Sequence, residues 1–352
     1  MRYALGLANA ADSWRTAVRA EQLGFDTVWF EDSQMVAADP FVVMAAAAMH
    51  TKRVRLGTGV CIPTNRIPPV TANVLATLNA LAPGRIDFGL GTGFSARRAM
   101  GLPAISVATL GRHLRAVRGL LDGATVEWNF DGQLRKIRFV NPDLGLFNVT
   151  DPIAFHVAAM GPRTRALAAD TASHWIAVYM NPAQAAAELA EMDQAYRDAG
   201  EDPAHFRKTA YTFGAVLHDG DTFDSPRIRQ QAGPVAAMVL HNLVETQYGD
   251  LGTGGLADDA LVEAYRHLYE SYEPADARYL TLHRGHALFL KPEEEAFVTG
   301  DVIRQCSFTG TAQALADQVK AIRDAGYTDV SFVVLPQYPD MVDDWARVVE
   351  LV

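Results

Sequence analysis

Gly24-Phe25-Asp26-Thr27-Val28 and Gly326-Tyr327-Thr328-Asp329-Val330 are one phrase written twice, near opposite ends of a 352-residue chain. In each copy a glycine stops a helical pattern and a short β-rich run follows. Upstream of Gly24, Trp14, Ala17 and Val18 recur at helical spacing, with Asp12 or Ser13 as the cap. Upstream of Gly326, Leu315, Val319 and Ile322 share one helix face. Glycine just past the last periodic residue is a common helix stop, because it enters the left-handed conformation without a Cβ clash. The repeating unit is therefore helix, stop, strand. Strand-like runs stand at residues 3–8, 27–30, 54–58, 86–90, 153–158, 175–178, 209–217 and 330–335, with helical stretches between most of them. They are continuously apolar rather than alternating, which implies burial on both faces, as in a parallel sheet covered by helices. Eight such units in a chain longer than 250 residues predict an α/β fold, a (β/α)8 TIM barrel, as a single domain over residues 1–352.

Two segments break the repeat. Residues 125–140 (TVEWNFDGQLRKIRFV) place Asp131-Gly132 between two β-rich runs, which predicts a hairpin inserted after the fourth helix. Residues 219–300 carry Gly-Thr-Gly-Gly at 252–255 and helical patterns at 235–245 and 260–271, and read as a long excursion between the seventh and eighth units. Such excursions at a barrel top usually shape a substrate pocket.

The chain has 31 Lys+Arg against 41 Asp+Glu, a net charge of −10, so no basic surface points to nucleic acid or to an anionic membrane. No apolar run approaches the roughly 18 to 20 residues that span a bilayer, and the opening MRYALGLANAADSW lacks the basic and apolar segments of a secretion signal. A soluble cytoplasmic protein is expected. Cys61 and Cys306 are too few for a disulfide framework and lack zinc-site spacing.

Three glycine-bearing stretches stand where predicted strands end. Gly91, Gly93 and Ala96 satisfy G-x-G-x-x-A, the pattern in which missing side chains let backbone N–H groups approach phosphate. Pro103 and the basic residues at 112–118 fit a dinucleotide-binding unit poorly, leaving a tight turn or a glycine loop lying against a flat ring system. Met160-Gly161-Pro162-Arg163-Thr164 opens a helix directly after a strand. It offers free N–H groups, a hydroxyl and a guanidinium to a phosphate monoester, or it is an ordinary turn with an exposed arginine. Gly57-Thr58-Gly59-Val60 permits an unusual backbone shape against a ligand, or a plain glycine-rich turn.

These stretches resemble the luciferase-like family of flavin or deazaflavin-dependent oxidoreductases. The resemblance is carried by Leu23-Gly24-Phe25-Asp26-Thr27-Val28-Trp29, Arg55-Leu56-Gly57-Thr58-Gly59-Val60, Pro69-Val70-Thr71-Ala72 with Ala76-Thr77-Leu78, and Gly84-Arg85-Ile86-Asp87-Phe88-Gly89-Leu90-Gly91. It implies a barrel holding FMN or the deazaflavin coenzyme F420 at the strand C-termini, usually in a homodimer. Thr58, Gly59 and Val60 would lie under the ring system, often with a non-prolyl cis peptide. Gly91 and Thr92, with Met160, Gly161, Arg163 and Thr164, would approach the ribityl chain and phosphate.

The chain departs from the family where histidines are usual. It reads Glu31-Asp32-Ser33 after the second strand and Arg66-Ile67-Pro68 before the third helix. Asp32 is left as a candidate for proton transfer, or as a capping or salt-bridged residue. Of ten histidines, only His283-Arg284-Gly285-His286 sets two close together. His286 is taken as a catalytic candidate and His283 as a substrate contact, with no metal centre expected. Arg97, beside Arg98, is a candidate to steer an anionic substrate, against a solvated basic pair.

The favoured expectation is an FMN-dependent monooxygenase that uses O2 and reduced flavin from a separate flavin reductase to oxidise a small organic substrate. The alternatives are an F420-dependent hydride transferase resembling the methylenetetrahydromethanopterin reductases, and a non-catalytic flavin-binding or accessory barrel. A homodimer is expected through the second and third helices, on the small-residue surface Met44-Ala45-Ala46-Ala47-Ala48-Met49.

Overall fold

The computed structural model describes residues 1–179, 182–245, 256 and 258–352. Eight parallel strands close on themselves: β1 (Arg2–Leu7), β2 (Thr27–Phe30), β3 (Arg55–Cys61), β4 (Ile86–Leu90), β7 (Ala154–Ala158), β8 (His174–Val178), β9 (Lys208–Thr212) and β12 (Asp329–Val334), with β12 paired back to β1. Around them run α1 (Trp14–Gln22), α2 (Pro40–His50), α3 (Pro68–Leu81), the short α4 (Phe94–Arg98), α5 (Val107–Leu121), α6 (Pro162–Asp170), α7 (Pro182–Asp198), α12 (Ala312–Ala325) and α13 (Met341–Glu350). This is the expected (β/α)8 barrel, and the two glycines of the repeated phrase do terminate α1 and α12 with positive φ, 87° and 114°. At α1 the cap differs from expectation. Ser13 precedes the helix, but its hydroxyl accepts from the Ala10 N–H behind it rather than from a helix N–H.

Large aromatics fill the barrel interior where glycines make room. A Cβ at Gly6 would overlap the Tyr211 hydroxyl, and one at Gly57 would lie 2.5 Å from the Trp29 ring. The N-terminal end of the barrel is plugged by charge. Arg207, just before β9, donates through Nε to Asp329 at 3.0 Å and through Nη1 to Asp87 at 3.2 Å. Arg55 and Arg2 hold the same two carboxylates from their outer sides. Burial alone would raise the Asp87 pKa, but hydrogen bonding and charge from His156, Arg55 and Arg207 outweigh it and hold the carboxyl well below the usual range.

The inserted hairpin is present as β5 (Val126–Phe130) and β6 (Gln133–Ile137), turned at Asp131-Gly132 with both φ values positive. The expected strand at 209–217 is two. Backbone pairing with β12 ends at Thr212, and β10 (Val216–Leu217) instead pairs outside the barrel with β11 (Gly310–Thr311). Between them Gly214 lies so close to the Phe308 carbonyl that no side chain fits there.

The excursion contributes α8 (Pro226–Val244), α9 (Asp259–Glu270), α10 (Tyr279–Leu282) and α11 (Gly300–Cys306). The sequence places the first of these at 235–245, nine residues late. The helix instead runs through Pro234, which is itself buried. Its apolar side, including Ile228, Ala232, Ala236 and Leu240, belongs to a separate hydrophobic cluster with Tyr265, Leu282 and Ile303. That packing offsets the lost backbone bond. The Gly-Thr-Gly-Gly at 252–255 lies outside the described residues. Among those described, no helix is long and apolar enough to cross a membrane.

The charge plug gives a graded stability test. Arg207→Ala leaves two buried carboxylates short of their shared cation and is expected to cost about 3–5 kcal/mol in urea unfolding. Arg2→Ala removes a side chain that is 43% exposed and is expected to cost about 1 kcal/mol or less.

Candidate functional site

A cleft of about 530 Å³ opens at the C-terminal ends of the barrel strands, roofed by the excursion. Its floor is built by glycines. The Gly59-Val60 peptide is cis without a proline, and the β3–β4 register shifts between Thr58 and Cys61. A Cβ on Gly91 would stand 2.9 Å from Val60 Cγ2, so the missing side chain lets β3 lean onto β4. Thr58, taken from sequence as a cofactor contact, does not line the cleft. It is buried and donates from Oγ1 to the Gly89 carbonyl at 2.6 Å, propping the floor from beneath.

One end of the cleft is the α6 N-terminus, where Met160, Gly161, Arg163 and Thr164 all line the wall together with Thr92 across from them. Thr164 Oγ1 accepts from the Gly161 N–H at 3.2 Å and fixes the turn. Gly161 has ordinary extended backbone, and a Cβ there would meet nothing within 4 Å. Among the described residues Arg163 is exposed and has no carboxylate partner. The free N–H groups expected here are mostly taken, Gly161's by Thr164 Oγ1 and those of Thr164 and Arg165 by the Gly161 carbonyl, so the Arg163 guanidinium and the positive end of the helix are what this turn offers a phosphate.

The acid near the floor is Glu31, which the sequence reading named without assigning. Desolvation in the cleft pushes its carboxyl up to about 7. Burial first, and the negative charge of Glu31 second, push the Tyr211 phenol well above its ordinary value. The Tyr211 hydroxyl is buried without a hydrogen-bond partner among the described residues, at the wall of the same cleft. Asp32, the residue predicted for proton transfer, also lines the cleft, but its Oδ2 accepts from the Ile62 N–H at 3.0 Å and faces Arg66 at 3.5 Å. It clasps the loop after β3. The strand-end position of Glu31 was a usable signal; the pleat had to be known to choose it over its neighbour.

Arg97 and His283 fall outside the cleft lining. Arg97 donates to the Pro103 carbonyl at 2.6 Å and to Thr64 at 2.8 Å, so it braces a loop rather than steering substrate. Arg98 is not a solvated partner either; it is buried over the Phe94 ring, 3.7 Å from Glu245. His283 is buried with Nε2 at 3.0 Å from Glu245, while His286 does reach the cleft wall. Also in the lining, and unassigned from sequence, are Phe213, Met238 and Asn242.

The family model described as luciferase-like monooxygenase matches residues 3–329. The chain belongs to that family. It is an oxidoreductase of the flavin or deazaflavin-using kind. Among curated relatives, it is 28% identical over 264 residues to a 5,10-methylenetetrahydromethanopterin reductase from Methanolobus tindarius, covering 70% of this chain and 79% of the relative. It is 36% identical over 167 residues to an F420-dependent glucose-6-phosphate dehydrogenase from Beutenbergia cavernae, covering 43% of this chain and 47% of the relative. A solved F420-dependent secondary alcohol dehydrogenase in complex with an F420-acetone adduct superposes with a TM-score of 0.71 at 18% identity, covering 100% of this chain and 98% of that one. At that identity the likeness is one of fold.

Two substitutions separate charge from space at the α6 end. Arg163→Ala is expected to weaken a phosphate-bearing cofactor by about tenfold to a hundredfold, the worth of one charge-assisted bond, and to leave its phosphate-free ring counterpart unchanged. Gly161→Val, whose Cβ has no protein atom within 4 Å, is expected to leave the melting temperature intact yet weaken the phosphate-bearing form, and that loss should persist at high salt. Titrations of both forms at low and high salt provide the check.

Proposed function

We propose that this protein is an F420-dependent hydride transferase that reduces, or in reverse forms, a C=O or C=N bond of a small organic substrate. The observation that carries the reading is the place of the Glu31 carboxyl in the lining of a mostly apolar cleft, where desolvation pushes it up to about 7. Adding hydride to a carbonyl carbon sends an electron pair to the oxygen, and that oxygen needs a proton. A general acid is most effective when its pKa lies near the working pH. The relatives above, a reductase and an F420-dependent dehydrogenase, support the same reading.

When bound, the deazaflavin supplies or accepts the hydride. The cleft fits such a group: a glycine floor for the ring, an unpartnered Tyr211 hydroxyl beside it, and open space with an uncommitted Arg163 at the phosphate end. Gly59-Val60 and Gly91 orient the ring, and Val60, Ile176, Val178 and Phe213 keep water from the reacting carbon. Glu31 delivers the proton. Asp32 holds the loop that completes the wall.

The second reading is the FMN monooxygenase, with O2 and a separate reductase, and it is supported by the family's description and by the same apolar lining. Anaerobic titration distinguishes the two. A micromolar or tighter complex with F420 and none with reduced FMN supports hydride transfer; the opposite result installs the monooxygenase, and binding of neither leaves an accessory barrel. Within the hydride reading, the rate of substrate reduction is expected to fall as pH rises through about 7, because the raised pKa means the proton is lost there. Glu31→Gln should lower the rate by about a hundredfold or more and remove that break from the pH profile.

The same proposal includes a single 1–352 domain, a cytoplasmic setting, supported by the two buried free thiols of Cys61 and Cys306, and a homodimer. The proposed interface differs in detail from the sequence expectation, since Met44, Ala47 and Ala48 pack inward against the barrel. What α2 and α3 present outward is Val42 (71% exposed), Met49 (68%) and Val70 (50%). Light scattering is expected to give a dimer mass for the native chain and a monomer mass for Val42→Glu with Val70→Glu; a native monomer would refute the interface.

A further inference from the structure

The excursion holds a buried cluster of titratable groups that hydride transfer does not use. His241 of α8 meets His283 and His286, which follow α10. His286 Nδ1 lies 3.3 Å from His241 Nδ1 and 3.1 Å from His283 Nδ1, and one ligand atom from each ring falls within 4.8 Å of the others. All three rings are buried. Their far sides are specified: His241 Nε2 lies 2.7 Å from Glu294 Oε1, and His283 Nε2 lies 3.0 Å from Glu245 Oε2.

Proton counting makes this arrangement informative. A carboxylate only accepts, so the Nε2 atoms of His241 and His283 carry the protons. With a proton on Nε2, each ring turns its Nδ1 lone pair toward His286. The two carboxylates also face cations of their own, Lys291 at 3.0 Å from Glu294 and Arg98 at 3.7 Å from Glu245. His286 Nδ1 can donate to only one of the two lone pairs it faces, so three converging nitrogens share at most one proton. A cation resolves the frustration. Nitrogens bound at 2.0–2.1 Å around a tetrahedral ion stand about 3.3 Å apart, close to the two separations that His286 makes, while the third pair lies within 4.8 Å. Histidine ligands commonly give their other N–H to a carboxylate, as His241 and His283 do.

We propose that His241, His283 and His286 bind one divalent transition-metal ion through Nδ1, with Glu245 and Glu294 orienting two of the ligands. Three imidazoles suit zinc, iron, copper or nickel, and among the described residues no fourth His, Cys, Asp or Glu joins them, which leaves a coordination position open. Because His286 lines the cleft, the ion sits in the cleft wall and fixes that ring. The sequence shows only the His283/His286 pair. The third ligand comes from a helix about 40 residues earlier in the chain, and Glu245 lies one turn beyond it on the same face.

The test uses the full chain, stripped with a chelator and then given Zn2+ or Co2+ alone. Zn2+ is expected to bind at one per chain in competition with a chromophoric chelator and to raise the melting temperature. Co2+ should give the intense visible absorption of a low-coordinate nitrogen site. His286→Ala is expected to abolish both signals, and Glu294→Gln to weaken Zn2+ by about tenfold to a hundredfold. Circular dichroism reports whether each variant folds, and the Co2+ spectrum of the native chain decides the matter without any variant. A native chain that takes up neither metal, or a folded His286→Ala chain that binds Zn2+ as tightly as the native one, overturns the site.

Discussion

Trp29 and Tyr211 occupy, inside the barrel, the space that side chains at positions 6, 57 and 59 would need. Much of the rest follows from this exchange of volume. Two large rings from β2 and β9 fill a core that eight strands cannot fill with aliphatic residues if three of the facing positions are bare. Restoring a Cβ at any of them would force the rings off their rotamers, at a cost of about 1–3 kcal/mol. The same bare positions bring the backbone of β3 close to these rings and put the Gly59-Val60 peptide at the surface of the cleft. Core packing and site geometry are thus one constraint. The Tyr211 hydroxyl shows it most directly, being buried against Gly6 on one side and part of the cleft wall on the other.

Charge is divided between the two ends of the barrel in opposite ways. At the N-terminal end every strong charge is answered: Arg207 by Asp87 and Asp329, and those by Arg55 and Arg2. That end is a closure. At the C-terminal end, among the described residues, the exposed Arg163 has no carboxylate partner, the Tyr211 hydroxyl has no hydrogen-bond partner, and the Glu31 carboxyl is desolvated with no cation among the causes of its shift. Buried or half-buried polar groups without partners are rare in native proteins because each costs about 1–3 kcal/mol. Where such a group faces the cleft, as the Tyr211 hydroxyl does, a ligand can supply what the chain does not.

The barrel was legible because its signals are local. Glycine stops and continuous apolar runs placed eight strands near their observed positions, and Asp131-Gly132 announced the hairpin. The reading failed where a distant part of the chain decides. The run at 209–217 looks like one strand until the Phe308 carbonyl arrives beside Gly214 and splits it. The helical pattern at 235–245 is only the second half of α8, whose first half is held through Pro234 by the excursion's own core. Arg97 and His283 have the chemistry of a substrate site but are claimed by Pro103, Thr64 and Glu245, partners no spacing rule could supply. His241 was passed over for the converse reason, since its companions are brought to it by the fold.

Glu31 and Asp32 show how finely that limit runs. They are consecutive acids at the end of one strand, and sequence alone favoured the second. A strand sends successive side chains to opposite sides, so neighbours at its end meet different surroundings. Asp32 turns toward the β3 loop, where its Oδ2 meets the Ile62 N–H, Asn65 and Arg66. Glu31 meets the apolar cleft and the back of Tyr211, which penalise charge. One carboxyl is thereby made a strut and the other a group able to exchange its proton near neutral pH. Environment assigns the roles of these adjacent acids: donors of the loop after β3 take up Asp32, while Glu31 is left to desolvation in the cleft.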